Sequence, residues 1–132
     1  MTRLFTILCC SIIYGSTLFA QKTVAEKLGY PANSKLLIIH ADDLAVSHSE
    51  NDASIKGIEK GSISSASIMV PCPWFEEIAE YGRNNPTVDL GLHLTLTAEW
   101  KHYKWGPVTS RDSVTSLVDA RGNLYPGVER FA

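Results

Sequence analysis

Cysteine is scarce in this chain: Cys9 and Cys10 fall within the first twenty residues, and only Cys72 lies beyond them. If that leader is removed, the remaining thiol has no partner for an internal disulfide. Flanked by Pro71 and Pro73 and lacking CxxC spacing, Cys72 reads as a packed small hydrophobe. An excess of positive charge is also missing. Beyond Arg3, residues 21–132 carry eleven basic and fourteen acidic side chains, which gives no support for a nucleic-acid-binding surface. No apolar stretch has the length of a confident membrane span. Residues 4–13 are mostly apolar but too short, and with Arg3 before them and a softer stretch to Ala20 after, they read as a secretory signal peptide cut near Ala20-Gln21. An uncleaved N-terminal anchor is the alternative, since Leu18 is a poor residue three places before the cut. The expected location is secreted or periplasmic. Internal repeats and low-complexity tracts are absent too.

What is present has the composition of a globular protein, with 45% hydrophobic and 20% charged residues. After a polar stretch at 21–34, Leu36-Leu37-Ile38-Ile39 forms a continuous apolar run of the kind found in strands buried on both faces of a parallel sheet. Ser47 followed by Glu50 matches a capping box, predicting a helix through Ala53, Ile55 and Ile58 that stops at Gly61. Residues 63–70 read as a second strand ending at Pro71. Pro73 suits the first turn of a second helix through Trp74, Phe75, Ile78, Ala79 and Tyr81, broken by Asn84-Asn85-Pro86. Residues 88–96 read as a third strand, with leucines at 90, 92, 94 and 96 opposite His93 and Thr95.

This strand-helix alternation predicts an α/β layer or barrel with right-handed crossovers. From Thr97 onward the pattern weakens. Trp100, Tyr103 and Trp105 lie in a loop-like stretch, followed by a short helix near residues 113–118 and a turn at 120–123. Three strands are few for a complete α/β domain, so the expectation is a fragment.

In α/β proteins the carboxyl ends of the strands collect the loops that carry ligands. His40, Asp42 and Asp43 lie at such an end. Two adjacent carboxylates repel each other and lose solvation there, and a divalent cation or a set of hydrogen-bond donors would compensate them. One carboxylate could bind the metal while its neighbour takes a proton from water. The plainer reading, in which one Asp caps the following helix and the other is solvated, stays open. His93 stands where a strand would ordinarily carry Leu, and a buried imidazole needs a partner for each ring nitrogen. Seen alone, a strand histidine is more often a satisfied core residue, but this one comes one strand-pair away from an Asp-Asp strand end.

Three ordered motifs now point to a family. His40-Ala41-Asp42-Asp43-Leu44-Ala45-Val46-Ser47 with Asn51, the stretch Gly61-Ser62-Ile63-Ser64-Ser65-Ala66-Ser67-Ile68-Met69-Val70, and Gly91-Leu92-His93-Leu94-Thr95-Leu96-Thr97 together resemble the N-terminal half of the YdjC-like carbohydrate deacetylases. The resemblance implies the N-terminal part of a distorted (β/α) barrel related to polysaccharide deacetylases, with residues 21–132 as a truncated portion of that domain. It also implies metal-dependent removal of acetyl groups from N-acetylated amino-sugar oligosaccharides. Read position by position, it makes Asp42 the catalytic base, with Asp43 and His93 as metal ligands. Mg²⁺ is favoured and Zn²⁺ stays open.

The family's third metal-binding His, in a later His-rich motif, has no counterpart here, and no general acid is evident. His102, in a Lys-His-Tyr-Lys loop, reads as exposed. His48 reads as a solvated helix-start residue, with substrate contact left open. His40 replaces the Asn often seen ahead of the two aspartates, and could orient Asp42 or simply pack. Trp100, Tyr103 and Trp105 could offer flat faces to sugar rings or anchor their loop. A non-catalytic or vestigial carbohydrate-binding fragment is the alternative function.

Overall fold

A computed structural model describes residues 21–130. The expected signal peptide lies outside the described residues. Contacts divide the chain into two compact units, with the boundary between Leu37 and Ile38.

In the first unit the polar stretch forms a short helix, α1 (Val24–Lys27). Thr23 caps it with a complete capping box: its hydroxyl accepts from Glu26 N–H at 3.2 Å, and its own N–H donates to the Glu26 carboxylate at 2.8 Å.

The second unit contains a parallel three-stranded sheet in the order β1 (His40–Leu44), β2 (Ser65–Ile68), β3 (Leu90–Leu92). Helix α2 (His48–Glu59) links β1 to β2, and α3 (Phe75–Asn84) links β2 to β3. The α/β reading of the sequence is therefore met. The first strand is displaced from the apolar run that predicted it. Residues 36–39 belong to no strand and are 44–79% exposed. Register explains the shift: β2 begins at Ser65, which pairs with His40, so residues ahead of Ile39 have no neighbouring strand. Asp42 and Asp43 consequently sit inside β1, in its C-terminal half, rather than just beyond it.

The core forms downstream of that run, where Leu44, Ala45 and Val46 meet Ala66, Met69, Cys72 and Ile78. At α2 the Ser47 hydroxyl accepts from Glu50 N–H at 3.2 Å, the N-cap half of the capping box expected from the sequence. The helix ends with Lys60 as C-cap and Gly61 at φ +71°, a conformation glycine adopts without a Cβ clash. Helix α3 starts at Phe75, two residues later than expected: Trp74 is its N-cap, and Pro73 lies just outside it. Ile78 on α3 is fully buried.

The third strand is shorter than the expected 88–96, because its neighbour β2 ends at Ile68. The last rung is His93 N–H to Ile68 O at 2.9 Å. Beyond it the alternation persists, with Leu92, Leu94 and Leu96 exposed at 73%, 87% and 60%, and His93, Thr95 and Thr97 half-buried.

The remainder is irregular. Trp105 is buried and donates through Nε1 to Thr97 O at 3.0 Å. Its ring lies 6.5 Å from Trp100 and 6.4 Å from Tyr103, an edge-to-face cluster that anchors this loop. The helix expected near 113–118 is replaced by two 3₁₀ turns, Arg111–Ser113 and Thr115–Leu117. The expected turn at 120–123 is present, closed by a Val118–Leu124 bridge, with Gly122 at φ +81°. The Asp119 carboxylate accepts from Asn123 N–H at 3.0 Å and Arg121 N–H at 2.9 Å, which holds it below the usual carboxylate range. Among the described residues no helix is long and apolar enough to cross a membrane.

Candidate metal centre

Because all three strands run parallel, their carboxyl ends share one edge of the sheet. Register also sorts the residues by face. His40 pairs with Ser65 and Ser67 with Gly91, so alternation puts His40, Asp42, Ser65, Ser67, Gly91 and His93 on one side. His40 is held there by β2: Nδ1 lies 2.7 Å from Ser65 Oγ and Nε2 lies 3.1 Å from Ser67 Oγ. Both ring nitrogens are thus engaged across the sheet, which makes His40 a strand-pairing residue rather than an orienter of Asp42.

Strict alternation would send Asp43 to the opposite face from Asp42. The backbone prevents this. The β1–β2 register shifts between Ala41 and Leu44, and Asp43 adopts φ +62° and Ala45 φ +82°. This irregularity lets two consecutive carboxylates serve one site. Ligand atoms from Asp42, Asp43 and His93 all lie within 4.8 Å of one another, the one such acidic and imidazole group among the described residues. His93 Nε2 is 3.1 Å from Asp43 Oδ1. His93 Nδ1 is buried and has no hydrogen-bond partner among the described residues.

Two carboxylates and an imidazole offer oxygen and nitrogen donors that suit a divalent metal, and the cation would relieve the repulsion between the aspartates. The three residues singled out in the sequence are brought together, and other candidates are not. His48 is the first residue of α2, with Nδ1 2.6 Å from Glu77 Oε1 and its ring 5.3 Å from that of Trp74. His102 is exposed. Cys72 is buried, and burial, reinforced by the nearby charges of Asp43 and Glu99, pushes its thiol up to about 12, so it stays protonated and is a poor metal ligand. A cavity of about 320 Å³, with Pro71, Thr95, Leu96, Val114 and Leu124 in its wall, contains none of the three cluster residues.

Of two residues behind the site, Asn51 is legible in the sequence only as part of a motif, without a role, and Glu77 is missed. Asn51 and Glu77 form a hydrogen-bonded pair beneath the turn that follows Asp43. A signal for Asn51 exists in the sequence: asparagine inside a predicted helix is unfavourable by propensity, so its presence there asks for a partner.

The fold and the cluster together define an α/β chain with a metal-capable Asp-Asp-His site at the carboxyl edge of its sheet. Comparison with known proteins narrows this class. Residues 36–132 match the family described as YdjC-like protein. A chitooligosaccharide deacetylase from Yersinia enterocolitica is 35% identical over 91 residues, covering 68% of this chain and 32% of that protein. A carbohydrate deacetylase from Enterococcus faecalis is 34% identical, covering 70% of this chain and 34% of the relative. A solved structure from Enterococcus faecalis V583, of a protein described as a candidate for cellobiose-phosphate cleavage, superposes with a TM-score of 0.57 at 32% identity. It matches 67% of this chain and 33% of that one. The chain belongs to the YdjC-like family, and it spans about a third of the length of these relatives.

Proposed function

We propose that this chain carries the first part of the active site of a metal-dependent hydrolase that removes acetyl groups from N-acetylated amino-sugar oligosaccharides. The observation that carries this reading is the convergence of Asp42, Asp43 and His93 in a chain related to carbohydrate deacetylases. The three parallel strands are read as the opening of a distorted (β/α) barrel, with residues 21–132 as the N-terminal portion of that domain.

Asp43 and His93 would hold the metal, with Mg²⁺ favoured over Zn²⁺ on family resemblance. When bound, a divalent ion supplies Lewis-acid polarisation of the acetyl carbonyl and activation of water. Asp42, the more exposed carboxylate, accepts the proton of the attacking water at a carboxylate oxygen. His93 Nε2 lies 3.1 Å from Asp43 Oδ1, so the two residues that would hold the metal already stand side by side. His93 presents Nε2 to the cluster. Acetate leaves and the sugar amine remains. Among the described residues no further His, Cys, Asp or Glu joins the three, so a general acid and an additional ligand are not assigned. Residues 1–20 support export of the protein, which N-terminal sequencing of the secreted or periplasmic form would test.

The test of function is acetate release from N-acetylglucosamine oligomers with added Mg²⁺ or Zn²⁺. Release that D42N abolishes is the expected result. Calorimetry showing no metal binding to this chain would instead favour the non-catalytic, carbohydrate-binding reading.

A further inference from the structure

Asp43 and Ala45 both hold positive φ, at +62° and +82°, in a region that residues with a Cβ seldom keep without outside support. At Ala45 that support comes from one side chain. Asn51 is fully buried, and its Oδ1 accepts from Ala45 N–H at 2.7 Å. Its Nδ2 donates to Trp74 O at 3.1 Å and to Glu77 Oε2 at 2.7 Å. These partners fix the amide's orientation, since only the oxygen can face an N–H and only the nitrogen can face a carbonyl and a carboxylate. A second link runs alongside, from Trp74 N–H to Ala45 O at 3.0 Å. Both backbone polar groups of Ala45 are therefore held. Val46 N–H, bonded to Asp43 O at 3.3 Å, closes the turn back onto the site residue.

We propose that Asn51 is a positioning residue for the metal-capable cluster. By holding Ala45 it holds the turn that begins at Asp43, and this turn brings the Asp43 carboxylate to the side of the sheet shared by Asp42 and His93. The proposal rests on reading that cluster as a divalent-metal centre. Asn51 itself is not one of the cluster's three residues and acts only through the backbone.

The experiment uses the whole chain, isotope-labelled, with backbone couplings and shifts of Asp43 and Ala45 reporting φ, and calorimetry with Zn²⁺ or Mg²⁺ alone reporting affinity. N51A is expected to lose the positive φ at Ala45 and to weaken metal binding about tenfold, the scale of lost support behind a ligand. Adding A45G to N51A is expected to restore both, because glycine takes positive φ without a partner. A purely structural role, in which Asn51 only fills the core, predicts no such rescue. Retained positive φ in N51A, or a folded N51A/A45G that recovers neither property, overturns the proposal. If N51A does not fold, the double variant N51D/E77Q decides: N51D keeps the acceptor for Ala45 N–H, E77Q supplies a donor in place of the carboxylate that would repel it, and loss of positive φ in the folded variant overturns the proposal. A wild-type chain that takes up neither metal removes the metal reading of the cluster, while the φ measurements still decide what Asn51 does.

Discussion

The carboxyl ends of β1 and β3 each deliver residues to the same cluster, yet they are built differently. After Asp43 the chain runs through Leu44, Ala45 and Val46, all buried, beneath α2 and the Asn51 amide. Around His93 it runs through Leu92, Leu94 and Leu96, all exposed, with β2 as the neighbouring strand. Hydropathy does not separate these stretches. What separates them is cover: the first has a helix and a buried polar brace over it, and the second does not among the described residues. One half of the candidate site therefore sits on a packed support, and the other on a strand end whose last rung is the His93 N–H to Ile68 O bond.

The sharpest way to break this comparison is to truncate a leucine on each side. L44A removes a fully buried side chain and is expected to cost about 3 kcal/mol in denaturant unfolding. L94A, at an exposed position, should stay within about 0.5 kcal/mol, and equal losses would show that the β3 end is as tightly packed as the β1 end. At the site itself, H93A and D43N are each expected to lower divalent-metal affinity at least tenfold, about 1.4 kcal/mol, by calorimetry. D42N should change that affinity less, since its assigned role is proton acceptance. Next in size, S47A removes the cap of α2 and should cost about 1 kcal/mol, read as a lower unfolding midpoint.

The smallest effect is a pH dependence on the braced side. Glu77 is held below its ordinary value of 4.5, chiefly by the hydrogen bond from Asn51 and further by His48. Because the folded value is the lower one, its stabilisation is present above about pH 4.5 and is lost as the pH falls through the folded value. Asp119 adds a loss of the same sign, starting from 3.8. E77Q should therefore make the acid limb of stability shallower, and an unchanged limb would show that Glu77 does not contribute to the brace.

Much of this architecture is legible in the sequence. The helix start at Ser47, the stop at Gly61 and the break at Asn84-Asn85-Pro86 are local chemistry, written in capping side chains and in residues that tolerate or forbid particular φ values. The strand-helix alternation followed from periodicity. The position of β1 was not legible, because Leu36-Leu37-Ile38-Ile39 has a stronger strand signal than His40-Ala41-Asp42-Asp43-Leu44, and only the partner register decides between them. The lengths of β3 and of the 3₁₀ turns depended likewise on where neighbours end.

For the site, the sequence by itself determined which groups are available: two adjacent carboxylates near one strand end and an imidazole at another, in motifs that mark the YdjC-like family. That much depends only on residue type and order. The tertiary structure decided that the three groups meet. Alternation along a strand separates neighbours such as Asp42 and Asp43, and it is the register shift, the positive φ of Asp43 and Ala45 and the buried Asn51 that set this aside. Those are long-range constraints, with partners six to twenty-six residues apart in the chain, and no local pattern encodes them.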